Sequence, residues 1–150
     1  MIALLASIRP DSWNFPLFLH VGGAAVFFGA VTISAVTQLT AARVPEPDLL
    51  RRVAFRTLLI VGLPAFIIFR GAAEWIRSKE FPGDADDPTW LGIGYIISDL
   101  GALIFLIALI LAGISVRKRK GWLTQTSGVL SVILLVALLI ATWAMAAKPT

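Results

Sequence analysis

Long apolar segments alternate with short polar connections along this chain. Residues 12–42 and 121–147 contain no charged side chain, and residues 88–116 contain a single aspartate. A helix needs about 20 apolar residues to cross the hydrocarbon of a bilayer, and each of these segments is longer. The uncharged segment 57–69 is too short to cross at a rise of about 1.5 Å per residue. A span at that place must therefore include Arg70.

This pattern predicts an all-α fold, an integral membrane four-helix bundle that forms a single transmembrane domain over the whole chain. We expect the spans at about 13–42, 54–77, 89–116 and 121–147. Pro64 lies near the middle of the second span. A proline inside a helix removes one backbone hydrogen bond and bends the axis, so we expect a kink there.

Composition supports the membrane assignment. Of 150 residues, 58% are hydrophobic and only 15% are charged, which is more apolar surface than one water-soluble core of this size can bury. The net charge of +4 comes from basic residues at the ends of apolar runs, so we expect no nucleic-acid partner. The chain has no cysteine, which excludes disulfides and thiolate metal sites.

The charges of the connections predict an orientation. The connections at 43–53 and 117–120 are basic, and the connection at 78–88, "SKEFPGDADDP", is acidic. Basic loops face the cytoplasm. We therefore expect both termini and the 78–88 loop to lie on the outer side of the membrane. We expect that membrane to be the cytoplasmic membrane, which is the inner membrane of a bacterium. The carboxylates of "DADD" lack the spacing of a calcium loop, so we predict a solvated loop.

Three spans carry a polar side chain at a similar depth. Counted from the tryptophans near the outer boundary, His20, Arg70 and Asp99 lie roughly 7–14 Å below the surface at the helical rise. Glu74 shares a face with Arg70, because residues four apart are neighbours on a helix. We predict a buried polar layer in which Arg70 pairs with Asp99 and Glu74, and His20 adds a hydrogen bond.

Such a layer has two interpretations. Ionisable residues in a span are costly and are functional hypotheses by default, yet buried ion pairs also serve only packing and specificity. Small residues in the first span favour close helix packing; they include Gly22, Gly23 and the small-xxx-small pair Ala25 and Gly29.

No catalytic or nucleotide-binding motif is present in the sequence, so we expect a protein that is not an enzyme, with no metal site and no required cofactor. Haem b is the one cofactor alternative. His20 and Met145 lie at a similar level and would form a His/Met axial pair.

The stretch "LFLHVGGAAVFFGA" resembles the first span of the copper-resistance D-type membrane domain, with a histidine followed by small residues and a later glycine. The chain is also similar in layout to a family of small bacterial four-span proteins of unknown function. The resemblance implies an inner-membrane four-helix protein linked to metal handling. The composition does not fit a role in metal handling, because the chain has one histidine, no cysteine and only two methionines.

Two functions follow as hypotheses. The first is an accessory or scaffolding subunit, in which the polar layer fixes helix packing or a contact with other membrane subunits or a second copy. The alternative is a small transporter or ligand-binding module, in which the layer is an outward-facing site near the bend at Pro64. In both, the surrounding lipid bilayer is the main partner.

Overall fold

The computed structural model describes residues 11–80 and 89–148, and every regular element in those two ranges is helical. A short 3₁₀ turn at Asp11–Trp13 leads into the first helix. The four long helices are α1 (Asn14–Ala41), α2 (Asp48–Glu80), α3 (Thr89–Lys118) and α4 (Gly121–Ala147). Each is long and apolar enough to cross a membrane. The all-helical, four-span prediction is confirmed at this level. The "DADD" run lies outside the described residues.

The second helix is longer than expected, because it begins at Asp48 and not near residue 54. Its first two turns carry Arg51 and Arg52, which lie in the connection predicted at 43–53. Pro47 directly precedes the helix, and an aspartate in the first turn interacts favourably with the helix dipole. Charged side chains end the apolar part of α2 but do not end the helix.

A change of helix type occurs inside α2, just before the proline. Residues Thr57–Gly62 form a π-helical turn, and the Leu63 N–H donates to the carbonyl of Leu58, five residues back. Pro64 has no N–H for the carbonyl of Ile60, and its ring crowds that carbonyl. The wider turn gives the ring room, and such turns are a recognised cause of bends. The irregularity predicted at Pro64 therefore lies in the turn before it.

The four long helices are arranged in a ring, and each packs mainly against the helices on either side of it. Helix α1 contacts α2 and α4, and α3 contacts α4. The first part of α2, Asp48–Arg56, also contacts α3, whereas the later part, Leu63–Glu80, packs mainly on α1. The 42–47 and 119–120 connections meet at one end of the bundle, which we call the basic end. At the other end the Phe15 ring meets the Trp75 ring edge-on, with centroids 6.2 Å apart, and we call it the termini end.

An aromatic cluster fills the middle of the bundle. Phe27 is buried and contacts Phe69 and Phe105, with ring centroids 5.4 and 5.0 Å apart. Phe66 stacks on Phe105 at 5.8 Å. Offset and edge-to-face pairs of this kind add to the energy of burial. The cluster joins α1, α2 and α3 at one level and separates the two ends of the bundle.

Helices α1 and α2 approach each other closely at Gly23. A Cβ added there would lie 3.0 Å from Phe69 Cβ, 3.1 Å from Phe69 N and 3.3 Å from the Ala65 carbonyl oxygen. A Cβ on Gly22 or Gly29 would meet nothing within 4 Å. The close packing expected of the small residues thus occurs at Gly23, and Gly29 makes no such contact within the described chain.

Candidate functional site: a cavity at the termini end

A cavity of about 720 Å³ lies between all four helices at the termini end. The aromatic rings of Phe27 and Phe69 line it where the cavity meets the mid-bundle cluster. Most of its wall is apolar and comes from α1 and α4, including Ala24 and Leu138. Polar side chains enter mainly from α2 and α3. The cavity is a cleft that opens to the outside of the bundle and not an enclosed void, and its volume makes it a distinct feature of the bundle.

The pairwise packing of the helices explains the position of the cavity. The Leu63–Glu80 part of α2 packs on α1, and α3 packs on α4. The four helices therefore close around the aromatic cluster and leave room above it. Small residues keep that room open; Ala73 and Gly94 are among those lining it. A Cβ on Gly94 would overlap Met145 Cε, so the glycine makes space for the methionine side chain.

His20 faces this cavity and bonds to the backbone of α2. Its Nδ1 lies 3.0 Å from the carbonyl oxygen of Phe69, and its ring meets the Phe69 ring edge-on at 6.1 Å. A carbonyl oxygen only accepts, so Nδ1 carries the hydrogen, and in the neutral ring Nε2 keeps a lone pair. The hydrogen bond predicted for His20 goes to the carbonyl one residue before Arg70 and not to the Arg70 or Asp99 side chain.

Arg70 is the centre of a polar cluster at the edge of the cavity. Its Nη1 donates to Glu74 Oε1, and its Nη2 lies 3.4 Å from Asp99 Oδ1. The Tyr95 hydroxyl donates to Glu74 Oε2 at 3.2 Å. The guanidinium groups of Arg70 and Arg77 lie 5.0 and 5.4 Å from the centre of the Tyr95 ring. The pairing of Arg70 with Asp99 and Glu74 is therefore present in the structure, and it links α2 to α3.

The cluster is not buried, which corrects the prediction of a buried layer. The exposed fractions of the side chains are 26% for Arg70, 48% for Glu74 and 70% for Asp99. The physical reason is the packing described above. At this end α2 leans on α1 and α3 leans on α4, so the side chains bridge the seam between α2 and α3 at the bundle surface.

Two participants were not recognised from the sequence. Tyr95 lies one turn before Asp99, and the i, i+4 spacing places both on one face of α3, which was the available signal. Arg77 lies seven residues after Arg70, two turns along the same face of α2. Both line the cavity, as does Glu80.

The haem alternative concerns the same cavity. His20 and Met145 both line it, and a ligating histidine commonly donates its other ring N–H to a backbone carbonyl, as His20 does. Arg70 and Arg77 are the cations that would pair with propionates. The residue types that line the cavity are therefore ones that could hold a haem group. In residues 11–80 and 89–148, no group of three or more His, Cys, Asp or Glu side chains could hold a metal ion.

Comparison with protein-family models, with curated proteins and with solved structures finds no match to this chain. The resemblance to the copper-resistance D-type domain stays a prediction.

Proposed function

We propose that the protein is an integral membrane protein that binds a small amphiphilic molecule in the cavity at the termini end, without catalysing a reaction. One observation carries this proposal: the cavity of about 720 Å³. Ligand sites are typically clefts of ~300–1,000 Å³ with mostly apolar walls and a few polar groups that orient the ligand.

The distribution of polar groups defines the ligand class. The wall from α1 and α4 is largely apolar, and the guanidinium groups of Arg70 and Arg77 enter from α2 on the same side as Tyr95. His20 adds a ring whose Nδ1 is already occupied by Phe69. An apolar body with a polar head that accepts hydrogen bonds matches these walls. A carboxylate or phosphate head would pair with the guanidinium groups.

The proposal includes an orientation. The basic connections at 43–53 and 117–120 lie together at one end, and by the positive-inside rule that end is cytoplasmic. Both termini and the 78–88 connection are then outside the inner membrane, and the cavity lies in the outer half of the bilayer. Cysteine-labelling with a membrane-impermeant maleimide, at Ser78→Cys and at Lys118→Cys, tests this orientation. Labelling of the second site and not the first in intact cells would reverse it.

Ligand recovery tests the binding proposal. The full chain is extracted in mild detergent, and bound compounds are identified by mass spectrometry after organic extraction. Ala73→Leu fills space in the cavity, since Ala73 lines it. Gly71→Leu is the matched control, because Gly71 lies two residues away, does not line the cavity, and a Cβ there would meet nothing within 4 Å.

We expect a compound that is enriched with the wild type and with Gly71→Leu and lost with Ala73→Leu. Circular dichroism of both variants checks that they are equally helical. Equal recovery of every compound from both variants would contradict the proposal. A Soret band in the wild type that is lost in His20→Ala would identify the ligand as haem.

An accessory-subunit role is the second candidate, and a specific observation favours it. Asp99 lies ten residues into α3 and its side chain is 70% exposed, on a face that also exposes Ile96, Leu100 and Leu103. A carboxylate at hydrocarbon depth is costly unless it is well paired, and its ion pair with Arg70 is long at 3.4 Å. A second chain that covers this face would lower that cost.

Native mass spectrometry tests this second role. Additional subunits, or a second copy, that bind the wild type at fixed stoichiometry and dissociate in Asp99→Asn would support it. A single chain in both proteins would exclude it.

A further inference from the structure

A second, smaller pocket lies at the basic end, far from the cavity described above. We propose that this pocket binds a phosphate group, presented either by a lipid headgroup or as free phosphate. It has a volume of about 210 Å³ and is lined by Asp48, Arg51, Arg52, Val116 and Arg119. That is room for several waters or for one tetrahedral oxyanion.

The charge of the pocket is strongly positive. Three guanidinium groups face one carboxylate, so two positive charges are not compensated within it. Asp48 Oδ1 lies 3.4 Å from Arg51 Nη1, and Asp48 Oδ2 lies 3.2 Å from Arg119 Nη2. The Arg52 Nε donates to the Asp48 carbonyl at 3.3 Å. The carboxylate thus holds the arginines together without neutralising them.

Arg51 is the strongest single indication of a ligand. It is only 7% exposed, which is unusual for arginine because a buried charge is costly unless it is paired. Its Nε donates to Thr124 Oγ1 at 3.0 Å, and its Nη1 is 3.4 Å from Asp48. A guanidinium has five N–H donors, so these two contacts leave donors for an oxyanion. Arginine is well suited to that partner because its planar fork binds phosphate bidentately.

The start of α4 lies beside the same arginine. Arg51 Nη2 is 4.0 Å from the position that a Cβ on Gly121 would occupy. Gly121 is the first residue of α4, and Lys120 before it makes no side-chain capping bond within the described structure. The first N–H groups of a helix and its dipole both favour an anion. The helix terminus therefore adds to a site that the buried arginine already defines.

Arg119 is held in the pocket by an unusual backbone conformation. Its φ is 51°, in the left-handed region that favours glycine. Its N–H donates to the Ser115 carbonyl and ends α3, a position where glycine is the common residue. The chain has an arginine at this strained position, which brings its guanidinium to Asp48.

The depth of the pocket fits a headgroup. Helix α2 has 33 residues, which at the helical rise is about 50 Å, whereas the hydrocarbon core is about 30 Å thick. The pocket residues are in the first turns of α2 and at the end of α3. If the chain spans the membrane as proposed above, they lie at the level of the lipid phosphates.

Binding measurements on the full chain in detergent test the proposal with three probes: dioleoyl phosphatidic acid, dioleoylglycerol without phosphate, and inorganic phosphate. Affinity is measured by native mass spectrometry and by the shift in melting temperature. Arg119→Gln removes one cation from the pocket. Arg117→Gln removes the same charge two residues away, from a side chain that does not line it.

We expect phosphatidic acid to bind the wild type and Arg117→Gln within twofold of each other. Its affinity for Arg119→Gln should be at least tenfold lower, because a charge-assisted hydrogen bond is lost. Dioleoylglycerol should not bind detectably. Inorganic phosphate that binds with the same dependence on Arg119 would identify free phosphate as the ligand, and no such binding would identify the lipid.

A third variant separates binding from stability. Arg119→Gly relieves the strained φ while removing the guanidinium, so its melting temperature without ligand should be unchanged or higher, and its affinity for phosphatidic acid should fall as in Arg119→Gln. Equal losses of affinity in Arg117→Gln and Arg119→Gln would overturn the proposal and leave only a diffuse surface charge. Unaltered affinity in Arg119→Gly would overturn it as well.

Discussion

The contact between α1 and α2 at Gly23 gives the sharpest test of the fold. In Gly23→Ala the new methyl group would lie 3.0–3.3 Å from Phe69 Cβ, Phe69 N and the Ala65 oxygen. Two of these atoms belong to the backbone and cannot rotate away. In Gly22→Ala the methyl group meets open space. The two substitutions are adjacent, are on one helix and make the same chemical change.

The magnitude follows from two terms. Replacing glycine by alanine inside a helix stabilises it by about 1 kcal/mol, and this gain is common to both variants. Overpacking costs about 1–3 kcal/mol, and only Gly23→Ala has this cost. We therefore expect Gly22→Ala to raise the free energy of unfolding above the wild-type value by up to about 1 kcal/mol. The free energy of unfolding of Gly23→Ala should be about 1–3 kcal/mol lower than that of Gly22→Ala.

Reversible unfolding in mixed micelles, with sodium dodecyl sulfate as the denaturant and circular dichroism as the signal, measures both values. A difference below about 0.5 kcal/mol between the two variants would refute the reasoning, because that is the usual range of surface substitutions. It would mean that α1 and α2 are farther apart at Phe69 than described. The bond between His20 and the Phe69 carbonyl would then be in doubt as well.

Three further predictions concern single contacts. Tyr95→Phe removes the hydroxyl that donates to Glu74 and keeps the ring beside the arginines, so the free energy of unfolding should fall by about 0.5–1 kcal/mol in the same micelle assay. Ser127→Ala removes a 2.7 Å bond from α4 to the Ala108 carbonyl of α3 and should cost a similar amount. Pro64→Ala restores a helical N–H, so the turn before it should become α-helical and its amide hydrogen exchange should slow.

Each of these has an outcome that would contradict it. An unchanged unfolding free energy in Tyr95→Phe would mean that the hydroxyl bond contributes nothing to the α2–α3 seam. The same result in Ser127→Ala would mean that the α3–α4 contact depends on packing alone. Unaltered exchange over 57–62 in Pro64→Ala would mean that the π-helical turn has a cause other than the proline.

The position of each polar residue along its helix was predictable from the sequence. Which helices are adjacent in the bundle was not. Arg70 and Asp99 meet because their distances from the flanking tryptophans are similar and the helical rise is constant. Glu74 joins them because it lies four residues after Arg70, on the same face of α2. Helices α1, α3 and α4 are apolar on all sides, so they lack the polar face that tells which side turns inward. The exposure of Asp99 follows from which helices are adjacent and could not be read from hydropathy.

Two other features were hidden for different physical reasons. The partner of His20 is a backbone carbonyl, and every residue has one, so no side-chain pattern indicates it. Arg51 has the same sequence signature as the exposed basic residues near it, since all of them flank the apolar part of the second helix. Only packing distinguishes it, because Thr124 of α4 lies within hydrogen-bond distance of its Nε. The extent of α2 was underestimated because a charged turn was taken as the end of a helix.

The two-residue connection between α3 and α4 has a consequence for the order of assembly. Such a short loop costs little entropy to close, so α3 and α4 can pair as a hairpin as soon as α4 has been synthesised. The contact of α1 with α4 joins residues about a hundred positions apart in the chain and cannot form earlier. Since all four helices line the cavity, it comes into existence only with the last helix. A molecule that binds there, as we propose, would therefore select the completed bundle and would not act as a template for its first helices.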